Sequence, residues 1–125
     1  MNVRLILRAI SFIVLAAAIY VFPSEVQSGS VNGYVLDSAC AFTKGLSKPI
    51  SRKCAKECAK AGSPLVILAD DGTVYWPIAD TTPSRGQNAK LLPFAGDRVR
   101  ATGKIYERGA SKAIVITEIK AENAK

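Results

Sequence analysis

Three cysteines are the residues best suited to chemistry in this 125-residue chain: Cys40, Cys54 and Cys58. The chain has no histidine, which removes the commonest general base and metal ligand. Cys54 and Cys58 are four apart, so a helix presents both on one face. Cys40 lies close enough in sequence to fold over that face. Three readings compete. The main one is a structural disulfide between Cys40 and either Cys54 or Cys58, closing a loop worth on the order of 3 kcal/mol. The second is a thiolate site for zinc or copper. Cu(I) and zinc accept thiolates, but a structural zinc takes four ligands, and Asp37 is the nearest substitute for the missing fourth. The third is redox chemistry, with nearby lysines favouring a thiolate. The C-x-x-x-C spacing is not the C-x-x-C of thioredoxin-like proteins, and no thioredoxin-type βαβ pattern surrounds it.

No catalytic residue is assigned. The chain has no phosphate-binding glycine motif, no nucleophile elbow and no carboxylate pair spaced for acid–base work. This excludes the usual hydrolase and nucleotide-dependent classes and leaves a non-catalytic binding module. No cofactor is expected in the main reading; zinc or copper belongs to the alternative.

The cysteines sit in a basic segment. Lys44, Lys48, Arg52, Lys53, Lys56 and Lys60 fall within 17 residues, opposed only by Glu57. A helix over Arg52–Ala61, capped by Ser51 and stopped by Gly62 and Pro64, divides them. Cys54, Ala55, Cys58, Ala59 and Ala61 take one side, and Arg52, Lys53, Lys56 and Lys60 take the other. Lys53, Lys56 and Lys60 are therefore candidate contacts for an acidic protein or an anionic lipid surface.

The elements that must position this helix are mostly strands. Val31–Ser38 reads as a strand after a short polar linker, Ser28–Ser30. Ala39–Ser51 reads as irregular. Leu65–Ala69 is a buried-type strand, and Asp70-Asp71-Gly72 turns it into Thr73–Ile78, with Pro77 at the end or edge. Asp80–Arg85 is a loop, and Gly86–Phe94 suits a short helix. Asp97–Arg108 alternates. Val99, Ala101, Gly103 and Ile105 face one way, and Arg98, Arg100, Thr102, Lys104 and Tyr106 face the other. Lys112–Lys120 is the last strand, and the tail from Ala121 is polar and expected to fray. Tyr75 and Trp76 are neighbours on a strand and point to opposite faces, one as core and one as a stacking platform. Trp76 with Arg98 and Arg100 gives an alternative site for polyanions or glycans.

The fold expected is mainly β: a five-stranded OB-like Greek-key barrel. It has a helical insertion after the first strand and a short helix before the fourth. The opening Gly33-Tyr34-Val35-Leu36-Asp37-Ser38-Ala39-Cys40, the helix Cys54-Ala55-Lys56-Glu57-Cys58 and the run Gly96-Asp97-Arg98-Val99-Arg100-Ala101-Thr102-Gly103 carry a resemblance over residues 31–120. On them the chain resembles exported small bacterial OB-fold-like proteins with a D-S-x-C opening and a cysteine-bearing helix. The resemblance implies the barrel and an extracytoplasmic location, without an assigned activity. Members of that family often carry a histidine after the first cysteine, which this chain lacks.

The head of the chain agrees with export. Met1–Arg8 is basic, Ala9–Phe22 carries no charge, and Pro23, Ser24 and Glu25 break the run. Residues 1–28 are read as a signal peptide cleaved after Ser28 or as a retained hydrophobic helix anchored in the inner membrane. Residues 29–125 form the barrel domain. The expected location is periplasmic, soluble or anchored, and the expected partners are other envelope or membrane proteins. Export takes the domain away from nucleic acid.

Overall fold

The computed structural model describes residues 26–47 and 49–122. The apolar head, with its expected N-terminal helix, lies outside the described residues. No helix among the described residues is long and apolar enough to cross a membrane.

Strand β1 spans Gln27–Asp37 and runs directly into helix α1, Ser38–Thr43. Helix α2, Arg52–Lys60, precedes the hairpin of β2, Leu65–Ala69, and β3, Val74–Pro77. Helix α3, Asn88–Leu91, and a 3-10 turn, Leu92–Phe94, lead to β4, Arg98–Arg108, and β5, Ser111–Ala121. The strands close in the order β1-β2-β3-β5-β4. All neighbours are antiparallel except β3 and β5, which run parallel. The protein is thus a mainly β, five-stranded closed barrel with a few short helices.

Closure depends on β1 serving two partners. Its first part pairs with β4 from Gln27↔Ile105 to Tyr34↔Arg98, and its second part with β2 from Gly33↔Ala69 to Asp37↔Leu65. Gly33 sits at the overlap. A Cβ there would stand 2.3 Å from the Leu68 carbonyl oxygen and 2.8 Å from Ala69 Cα, so only glycine lets the backbones meet. β4 and β5 shift register between Thr102 and Gly103, where a Cβ on Gly103 would lie 1.9 Å from Val115 O.

The barrel interior is packed by Val31, Val35, Leu65, Ile67, Val99, Ala101, Ile114 and Ile116. Ala55 and Ala59 of α2, with Leu91 and Ala95, join the same cluster. Alanines at these two positions let α2 approach closely. A second cluster lies outside the barrel wall, where Ala41 of α1 meets Leu36, Val66 and Leu68. β2 is therefore buried on both faces, which explains its unbroken LVILA sequence.

Four boundaries differ from the sequence reading. Ser28–Ser30 is not a linker. It belongs to β1, held by β4 and by the 2.8 Å contact of Ser30 Oγ with Thr102 Oγ1, so the strand begins ahead of the 29–125 boundary. The segment after β1 is not irregular at its start. Asp37 caps it into α1, burying Ala41. β3 is shorter than Thr73–Ile78. The tail does not fray at Ala121: Glu122 N donates to Arg98 O at 2.8 Å and its carboxylate pairs with Arg98 and Arg100.

Candidate functional site

The two helices between β1 and β2 start in the same way. The Asp37 carboxylate accepts from Cys40 N at 2.7 Å, and Ser51 Oγ accepts from Cys54 N at 3.2 Å. Each cap thus fixes a cysteine three residues on, at the first turn of its helix. The pattern is visible as D-S-A-C and S-R-K-C. Both cysteines line one cleft of about 130 Å3, together with Leu36, Lys44, Pro49 and Ile50. Cys58 lies one turn along α2, outside that lining.

Asp37 is the buried charge of the site, 4% exposed. Besides the Cys40 amide it accepts from the Ser63 hydroxyl. Ser63 is held in place by Asn88, whose Nδ2 donates to Ser63 O at 2.7 Å while its Oδ1 accepts from Leu65 N at 2.8 Å. Burial pushes the Asp37 carboxyl up, but hydrogen bonds from Ser63, from the Cys40 amide and thiol and from Ala39 outweigh it. The net position is below the ordinary carboxylate value.

The three cysteines are free thiols. Burial, and then the thiol's hydrogen bond to Asp37, push Cys40 up. Burial, and then hydrogen bonding with Cys54, push Cys58 up. Both thiols are thus biased towards the protonated form, which is the poorer nucleophile and the poorer metal ligand. Among the described residues, no three cysteine or acidic groups are placed to hold a metal ion. Asp37, the fourth member of the alternative zinc or copper set, caps α1 and accepts from Ser63.

An exposed apolar patch spans α1 and β3. Phe42, on the outer side of α1, is 65% exposed, and Trp76 of β3 is 37% exposed. Their ring centroids are 6.3 Å apart. Leu46 is exposed just beyond α1. Tyr75 turns inward against the main core, as alternation along β3 requires. Phe42 is not legible where Ala39–Ser51 is expected to be irregular. The usable signal was Asp37 as a helix cap.

The basic residues divide into two groups. On the barrel, Arg98 makes a two-pronged contact with Asp70, including Nη2 to Oδ2 at 2.7 Å, and reaches Glu122 at 3.1 Å. Arg100 shares Glu122 at 3.1 Å, and Lys104 meets Asp80 at 2.6 Å. Arg98 also lies over the Tyr34 ring, 5.9 Å from its centroid. The candidate polyanion face, Arg98 and Arg100 with Trp76, is thereby largely neutralised by its own carboxylates. On α2, Lys53, Lys56 and Lys60 are exposed, and neither they nor Lys44 forms an ion pair among the described residues. Arg52 differs from them: it pairs with Asp97 and ties α2 to the start of β4.

The structure therefore gathers Asp37, Cys40, Cys54 and Cys58 at the α1–α2 shoulder, with Lys53, Lys56 and Lys60 on its helix, and leaves Arg98 and Arg100 on the barrel wall. Compared with protein-family models, with curated proteins and with solved structures, the chain finds no match.

Proposed function

We propose that this chain is a non-catalytic docking module of the cell envelope, an accessory subunit that joins a larger membrane protein through its α1–α2 shoulder. The observation that carries the reading is the aromatic pair Phe42–Trp76, exposed on α1 and β3 with tilted rings whose centroids are 6.3 Å apart. Large aromatic area left in water favours burial against a partner, and aromatic residues dominate the energetics of protein interfaces. The charge of Lys44, Lys53, Lys56 and Lys60, which form no ion pair among the described residues, favours a partner with an acidic rim and accelerates encounter with it. The closed five-stranded barrel, with a helix between its third and fourth strands, supports the finer assignment of an OB-like Greek-key fold. The apolar head supports export and attachment to, or release from, the inner membrane. The D-S-x-C opening and cysteine helix are consistent with the resemblance to exported OB-like proteins.

The test uses the full chain, extracted from membranes in mild detergent and sized under native conditions. The unmodified protein is expected in an assembly larger than itself. The variant Phe42→Ala/Trp76→Ala is expected to run as a free, folded subunit, its fold checked by a cooperative thermal melt. An unmodified protein that runs alone, or a double variant that stays in the assembly, overturns the reading. Flotation of the purified protein with vesicles containing anionic phospholipid, lost in the double variant, would assign the shoulder to a lipid surface and overturn the protein-partner reading.

A further inference from the structure

Three cysteines allow three pairings, and the fold discriminates among them. Cys54 and Cys58 lie on successive turns of α2, where Cβ atoms are roughly 5–6 Å apart. A disulfide needs about 3.5–4.5 Å between Cβ atoms. Joining them would distort a helix whose Ala55 and Ala59 are packed into the core. Cys40 and Cys54 are placed differently. Each is the third residue after a side-chain cap, each amide is held by that cap, and both line the cleft between α1 and α2. Cys58 does not line it, and its thiol hydrogen-bonds with Cys54 from one turn along α2. Exposure separates the two cleft thiols: Cys54 is exposed, and Cys40 is half-buried against Asp37.

We infer that Cys40 and Cys54 are a reactive pair for thiol–disulfide exchange, with Cys54 as the entry thiol, Cys40 as the resolving thiol and Cys58 as a bystander. The co-reactant is a disulfide R–S–S–R, either of low mass or carried by an oxidising dithiol protein. The Cys54 thiolate, its proton lost to solvent, attacks one sulfur of R–S–S–R. The S–S bond breaks, Cys54–S–S–R forms, and RS⁻ leaves and takes a proton. The Cys40 thiolate then attacks Cys54 Sγ, displaces the second RS⁻ and forms Cys40–Cys54. Two protein thiols are oxidised by two electrons and one R–S–S–R becomes two RSH. Burial and the Asp37 contact make Cys40 the weaker attacker of a disulfide in solution, which leaves it the second, intramolecular step. In the first step an attacking thiol meets the oxidant in solution, whereas in the second the partner is already across the cleft. The product ties α1 to α2 through a loop running from residue 40 to residue 54. The pairing holds whether or not the shoulder docks a partner, because it concerns the cleft and not the Phe42–Trp76 patch.

The experiment exposes the full chain, reduced and then freed of reductant, to oxidised glutathione, and follows it by intact mass and peptide mapping. The expected course is one glutathionyl adduct on Cys54, then its loss with a net loss of two hydrogens and a cross-linked peptide joining Cys40 to Cys54. Cys40→Ser should accumulate the Cys54 adduct, Cys54→Ser should form no Cys40 cross-link, and Cys58→Ser should follow the unmodified course. Brief labelling of the unmodified reduced chain with N-ethylmaleimide gives the same order without any substitution, with Cys54 modified before Cys40 and Cys58. A first adduct on Cys40 or Cys58, a Cys40–Cys58 or Cys54–Cys58 product, or a chain that keeps three thiols under glutathione disulfide overturns the inference.

Discussion

The barrel wall and the α1–α2 shoulder carry the same residue types and treat them in opposite ways. On the wall, Arg98, Arg100, Lys104, Lys112 and Lys120 each meet a carboxylate: Asp70, Glu122, Asp80, Glu107 or Glu118. Lys112 and Glu107 face each other across β4 and β5, and Asp70, Asp80 and Glu122 come from the turns and ends that barrel closure brings to β4. On the shoulder, α2 contributes four basic residues and one acid, Glu57, and only Arg52 is paired among the described residues. The lesson is that the net charge of +7 is not a property of the whole surface. Among the described residues, ion pairs offset it on the barrel wall and leave it displayed on α2.

The largest expected effect tests whether the barrel is the rigid half of this comparison. In Gly33→Ala, the new Cβ meets the Leu68 carbonyl and the Ala69 backbone, neither of which can rotate away. Overpacking of this kind costs about 3 kcal/mol, equivalent to a melting temperature lower by on the order of 10–20 °C. Gly45, just past α1, has φ +53° and open space around its Cβ position. Gly45→Ala should therefore cost only the left-handed strain, about 1–2 kcal/mol. Thermal melts of the two variants side by side check the ranking. Equal losses would mean that the shoulder is packed as tightly as the barrel.

A smaller effect lies at the joint between the two regions, Asp37. Its carboxyl sits below the ordinary value of 3.8 in the fold. The stability it contributes is therefore complete above that ordinary value and lost as pH falls through the lower, folded value. Asp37→Asn keeps one acceptor and removes the charge, which should cost about 1.5–3 kcal/mol at pH 7. The gap between variant and parent should close in acid. Urea unfolding at neutral and acidic pH measures both. The same substitution removes the carboxylate that helps to push Cys40 up, so Cys40 should alkylate faster in the variant at fixed pH. An unchanged alkylation rate would separate the cap from the thiol.

Strong local patterns were legible in the sequence. The unbroken LVILA run marks a buried-type strand, the alternation from Val99 to Ile105 places Ala101 and Gly103 inward, and Ser51 marks the cap of α2. What escaped depends on partners distant in the chain. Ser28–Ser30 looks like a polar linker, yet it is strand because β4 runs long enough to pair with it. Arg98, Arg100 and Lys104 read as a basic face because Asp70, Asp80 and Glu122 reach them only through closure of the barrel. Phe42 was hidden because a single capping aspartate, and no hydrophobic period, makes α1 a helix.

The smallest effect on stability bears most directly on the contrast. Arg98 holds Asp70 below the ordinary carboxylate value through their hydrogen bonds. This pair is solvent-exposed, so its contribution is screened. Any stability it adds is present above the ordinary carboxylate value, fades as pH falls below it and shrinks with added salt. Asp70→Asn should leave Arg98 with Glu122 and the Tyr34 ring, and the melting temperature should barely move. The informative readout is instead affinity for a polyanion. If internal pairing is what silences the barrel face, Asp70→Asn/Asp80→Asn frees positive charge on Arg98 and Lys104, and the protein should need more salt to elute from a heparin column. The charge-reversed shoulder, Lys53→Glu/Lys56→Glu, serves as the opposing control and should elute earlier. Elution unchanged by the two aspartate substitutions would show that the wall is silent for a reason other than its carboxylates, and the division of this surface into a neutralised half and a displayed half would fail.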